Sequence, residues 1–72
     1  MTVAVAKKRV RAAELRVLAV RQREMAEGYL RQAGHPIYVG QDLVCTGKAA
    51  EVEALASRNE AEANLIEAEA EG

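Results

Sequence analysis

Gly34-His35-Pro36-Ile37-Tyr38-Val39-Gly40-Gln41-Asp42-Leu43-Val44-Cys45-Thr46 is the stretch of this chain that breaks with helical habit. It holds the sole proline, two residues beyond a glycine placed to end a helix in the left-handed conformation. Two short β-prone runs follow, Ile37 to Val39 and Leu43 to Cys45, around a Gly40-Gln41-Asp42 loop. The segment reads as a small β-hairpin or, because two strands alone are marginal in water, as an extended connector.

Outward from this break, both flanks read as helix. From about Val3 to Ala33 the chain has no proline and is rich in Ala, Leu, Arg, Glu and Gln, all good helix formers. About 30 residues at 1.5 Å each would span about 45 Å. Arg31 suits the last turn, and Gly28 weakens the final turns by about 1 kcal/mol relative to Ala. On the other side, Thr46 is placed to cap a second helix from about Gly47 to Ala70, with Glu51 and Glu53 near its N-terminal dipole. The predicted fold is therefore mainly α: two long antiparallel helices joined by a hairpin or extended connector at about 35–46, one small domain over 1–72. The helix–hairpin–helix order resembles, in topology, small phage head-tail joining proteins, and topology by itself carries no function.

The composition then asks for more than one copy. The chain has 72 residues, 50% of them hydrophobic, but its aromatics are two tyrosines with no Phe or Trp. A core built from Val, Leu, Ile, Met and many alanines is thin, and domains this small usually add metals, disulfides or oligomerisation. One cysteine excludes an internal disulfide framework, and with a single histidine it leaves no set for a structural metal. A homo-oligomeric helical bundle is the remaining expectation, with no cofactor. No run approaches the roughly 18 apolar residues of a membrane span. The apolar Met1–Ala6 precedes Lys7-Lys8-Arg9, the reverse of a secretory signal, and the lone Cys45 agrees with a reducing compartment. A cytoplasmic location is expected.

A net charge of -1 hides a division. Residues 1–34 carry eight Lys or Arg against three Glu, and residues 35–72 carry two against eight acids. The halves are complements, fitted to pair with each other or to serve as a basic arm beside an acidic tail.

Placed at 100° steps, Val3, Val10, Val17, Leu18, Met25, Tyr29 and Leu15 share one arc of helix 1, the expected core side. Arg9, Arg16 and Arg23 form a row on the other side at seven-residue spacing, with Arg31 one position off. This is a carboxylate or phosphate reader, or a solvated face. Glu53, Glu60 and Glu67 repeat with the same period, and Arg23 with Glu53, Arg16 with Glu60 and Arg9 with Glu67 all have residue numbers adding to 76. A fold about Gly40 predicts a total near 80. Because the arginines point away from the valine arc, these pairs are expected between chains, as flanking charge selectors.

Helix 2 has two apolar stripes. Val52, Leu55, Ala56, Asn59, Ala63 and Ile66 are expected to meet helix 1, while Ala50, Ala54, Ala61, Leu65 and Ala68 form either a second interface or exposed helix-favouring filler. Asn59, mid-stripe, either fixes register as a buried polar residue or reaches solvent at a loose edge. The expected oligomer interface is thus Arg9, Arg16, Arg23, Glu53, Glu60, Glu67, Asn59, Ala54, Ala61 and Leu65.

Catalytic chemistry is poorly provided for. His35, Asp42 and Cys45 are the types a thiol nucleophile needs, but a cysteine after Leu43-Val44 is more often a packed hydrophobe. Gly40 to Lys48 misses the spacing of a phosphate loop and lacks its Ser or Thr, leaving only the Gly47 and Lys48 amides at an expected helix N-terminus to hold an anion. A phosphate ligand would fall to Arg16, Arg23, Arg31 and Lys48, with Tyr38 stacking on a base. Against nucleic acid stand the acidic second half and a pI near 5.8. The sequence thus predicts a non-enzymatic, homo-oligomeric interaction protein, an adaptor, regulator or inhibitor of another protein. The alternatives are a binder of nucleic acid or a nucleotide and a structural assembly component.

Overall fold

The computed structural model describes residues 2–35, 40 and 42–71. Helix α1 runs Val3–Ala33 and helix α2 runs Asp42–Glu71, and the two pack against each other along their length. Thr2 starts α1 in an extended conformation, its Oγ1 accepting from the Val5 N–H at 3.2 Å and its carbonyl accepting from the Ala6 N–H at 3.0 Å. This satisfies donors that the first turn leaves without a helical partner. At the other end, Gly34 stays right-handed at φ -88°, not left-handed as expected, and the turn closes through the His35 N–H on the Gln32 carbonyl at 3.0 Å. The left-handed glycine is Gly40, at φ 91°.

The connector differs from the expectation in its second half. Leu43, Val44 and Cys45 are the opening turn of α2 and not a strand, and no described residue is in a strand. Thr46 lies inside the helix, where its hydroxyl donates to the Leu43 carbonyl at 3.2 Å instead of capping. The physical reason is register. Cys45 stands seven residues before Val52, so continuing the helix backwards places its small thiol on the inner stripe of α2, where it is 5% exposed. Burial of that side chain outweighs the modest β-preference of three residues. The other expected strand, Ile37 to Val39, lies outside the described residues.

The core also lies on a face other than the expected one. Its members are Ala12, Leu15, Ala19 and Ala26 on α1 and Cys45, Ala49, Ala56 and Ala63 on α2. Alanine thus recurs every seven residues down both helices, and Leu15 is the one bulky side chain in the set, held with Ala12 against Ala63 and Ile66. Alanine at the contact lets two helix axes approach toward the short end of the usual 8–10 Å. The long run of close backbone contact substitutes for large side chains. Val3, Val10 and Val17, expected inside, are 73%, 58% and 52% exposed, and Leu18 and Met25 are exposed beside them. Of that arc only Leu15 is buried, with Tyr29 half-buried at its margin.

On α2 the expected inner stripe is the inner stripe: Ala56 and Ala63 are buried, Val52, Asn59 and Ile66 half-buried, and Leu55 is at the exposed edge. Ala50, Ala54, Ala61, Leu65 and Ala68 face outward. The resulting body measures 54 × 13 × 10 Å with a radius of gyration of 16.4 Å. A compact chain of this length would have about 11 Å.

Candidate interaction surfaces

Antiparallel packing gives the hairpin two unlike edges. Along one, Arg16 forks between the Glu67 carboxylate and the Asn64 side-chain carbonyl, donating to the latter at 2.6 Å. One heptad along, Arg23 grips both oxygens of Glu60, the second at 3.1 Å. Bidentate guanidinium–carboxylate geometry is the strong form of such pairs. The hydrogen bond to Glu60, reinforced by its charge and that of Glu53, raises the Arg23 pKa above its ordinary value. Reciprocally, the hydrogen bond from Arg23, with the charges of Arg23 and Arg16, holds Glu60 below the ordinary carboxylate range. Arg9 lines a cleft with Glu67 and Glu71.

These are the rows expected from the sequence, but paired within one chain and displaced by a heptad. The numbers of each arginine–glutamate pair add to 83 instead of 76. A seven-residue period leaves both registers available to the rows, and a fold about Gly40 falls between them. The alanine contact resolves the difficulty of facing: once Ala12, Ala19 and Ala26 are inside, Arg16 and Arg23 flank the contact and reach across it. Asn64, which shares Arg16, was missed for want of any seven-residue series of its own.

The other edge carries no ion pair between the helices among the described residues. There Asn59 donates to the Gln22 side-chain carbonyl at 2.9 Å, with both residues half-buried. Asn59 therefore takes an intermediate role: neither sealed in a core nor lost to solvent, it bonds across the contact. Exposed Leu18, Met25 and Leu55 are the large apolar residues nearest this polar bridge in helical phase.

The anion-binding candidates do not converge. Arg16 and Arg23 are held by Asn64, Glu67 and Glu60. Arg31 is exposed, its guanidinium folded back over Gly28. Lys48 lies 3.9 Å from Glu51 within α2. The Gly47 and Lys48 amides are inside the helix that starts at Asp42, where amides serve carbonyls one turn back, so no N-terminal anion site exists there. Tyr38 lies outside the described residues. Among the described residues no three His, Cys, Asp or Glu side chains cluster as metal ligands, and no helix is long and apolar enough to cross a membrane.

The outward faces of both helices carry exposed apolar residues. On α1, two contiguous shallow grooves share Val10 and Glu14. One continues through Val3 and Ala6, the other through Ala13, Val17 and Leu18. On α2, Leu43 is 88% and Leu65 61% exposed in line with the alanines of the outer stripe. The sequence signal for the α1 face was present: Val3, Ala6, Val10, Ala13, Val17 and Val20 follow a strict heptad alternation of three and four residues. Compared with known proteins, the chain matches no family model, no curated protein and no solved structure.

Proposed function

We propose that the protein is a non-enzymatic, self-associating helical hairpin that works by binding another protein in the cytoplasm, as an adaptor, regulator or inhibitor. The carrying observation is the mismatch between inside and outside: the contact between helices is alanine, while valines, leucines and a methionine stand on the outer faces. Contiguous apolar surface of this kind marks a site of association. The phosphate-binding alternative draws less support, since an anion would have to displace the glutamates that already hold Arg16 and Arg23. The buried, unpaired Cys45 fits a reducing compartment.

Light scattering of the pure chain at low and high salt tests the reading. An oligomer that persists at high salt is expected, because apolar burial is not screened. A folded monomer at all concentrations would overturn it.

A further inference from the structure

Resting on that proposal of self-association, we infer that the partner of the outer α1 face is the same face of a second copy, packed antiparallel about a two-fold axis between Val10 and Ala13. The seam would run Val3, Ala6, Val10, Ala13, Val17 and Val20, an uninterrupted heptad alternation over five turns that Glu24 ends. Val3, Val10, Val17 and Val20 are each at least half-exposed in the single chain.

Two observations favour this occupant in this orientation, and a third shows that the area is there. The first is layer volume. In a parallel pair valines would meet valines and alanines alanines, alternating wide and narrow layers. In the antiparallel pair Val10 meets the partner copy's Ala13 and Ala6 meets Val17, so four central layers each combine one large and one small side chain. Even layers interdigitate without voids. The second is charge. Lys7 and Glu14 line the grooves beside the seam. In this alignment each Lys7 comes opposite the other copy's Glu14, twice per dimer, and among the described residues of its own chain Glu14 has only a 3.8 Å contact with exposed Arg11. On the opposite flank Arg9 and Arg16 would approach their counterparts, but Arg16 is neutralised by Glu67, and Arg9 lines a cleft with Glu67 and Glu71. The third is area. The chain exposes 5223 Å² at 7.8 kDa, against roughly 4,400 Å² for a compact protein of that mass. That excess, spread over both outer faces of an elongated body, leaves room for the roughly 800 Å² that each partner buries in a standard interface.

Sedimentation equilibrium of the full chain, with circular dichroism on the same samples, tests the inference. The unsubstituted chain should sediment at twice 7.8 kDa. Val10→Glu should shift it to the single mass, while Leu65→Glu, on the outer face of α2, should leave the dimer intact. Glu14→Lys should weaken the dimer at least tenfold by setting lysines against each other, and Lys7→Glu combined with Glu14→Lys should restore it. That rescue does not depend on whether Val10→Glu keeps its fold. A dimer lost with Leu65→Glu and kept with Val10→Glu would overturn the α1 seam while leaving self-association standing. Failure of the double exchange to rescue would overturn the antiparallel order. A monomeric unsubstituted chain would sink both.

Discussion

Two seams run down α1 at the same seven-residue pitch, and they differ in size: Ala12, Ala19 and Ala26 inside, Val3, Val10 and Val17 outside. The larger hydrophobes are the ones left in water. Helix contact is decided by the best joint surface, not by the stickiest residue on one helix, and here α2 offers a matching alanine series at 49, 56 and 63. Close backbone approach along the whole length then places the arginines where they can reach Glu60 and Glu67. Charge follows packing in this molecule.

The largest test of that comparison is Leu15→Ala against Val17→Ala, measured by denaturant unfolding at concentrations low enough to keep the chain monomeric. Leu15 is 2% exposed and the bulkiest member of the inner set, so its truncation should cost about 3 kcal/mol. Val17 is 52% exposed and should cost less than about 0.5 kcal/mol under the same conditions. Equal costs would erase the distinction between inside and outside, and a larger cost at Val17 would reverse it.

Next in size is Ala56→Leu. Ala56 is fully buried, and a leucine there must push α1 away or leave its rotamer, for a loss of about 2 kcal/mol. The same change at Ala54, on the outer stripe, should be close to neutral. The contrast between neighbouring alanines of equal helix propensity isolates the seam from the helix itself.

How much of this was legible in the residues divides along the same line. The bounds of α1, Val3 to Ala33, follow from composition and the glycine beyond it, and the inner stripe of α2 follows from its periodicity. The inner face of α1 does not, because ranking residues by hydrophobicity selects valine over alanine, whereas the contact rewards small size. The alanine series was the missed signal, visible only when both helices are compared for a shared spacing. The start of α2 was misplaced for a related reason: Leu43-Val44-Cys45 looks like a strand until Cys45 is counted as the inward position seven residues before Val52. For the candidate site, the arginine and glutamate rows were legible and their partners were not. Heptad spacing admits two registers, and the direction in which a row faces depends on which seam is inside.

The polar bridge sharpens the picture of the two edges. Asn59→Ala removes the 2.9 Å bond to Gln22 and should cost about 1 kcal/mol, the worth of one net hydrogen bond at a half-buried site. A cost near zero would mean that water replaces Asn59 without penalty.

The smallest expected effect is at the charged edge. Arg23 holds Glu60 below the ordinary glutamate value of about 4.3. A carboxylate with a depressed folded pKa contributes stability in full above its unfolded pKa, and that contribution is lost as pH falls from there through the lower folded value. Arg23 keeps its charge throughout, because its own shift is upward. Thermal unfolding should therefore show constant stability of this pair near neutrality and a decline as pH drops below about 5. With Glu60→Gln the decline should be shallower, and with Arg23→Gln shallower to a similar degree, since either change abolishes the same linkage. Salt should narrow the difference, because both side chains remain about two-fifths exposed. An acid limb unchanged by both substitutions would show that the pair contributes no stability through this linkage.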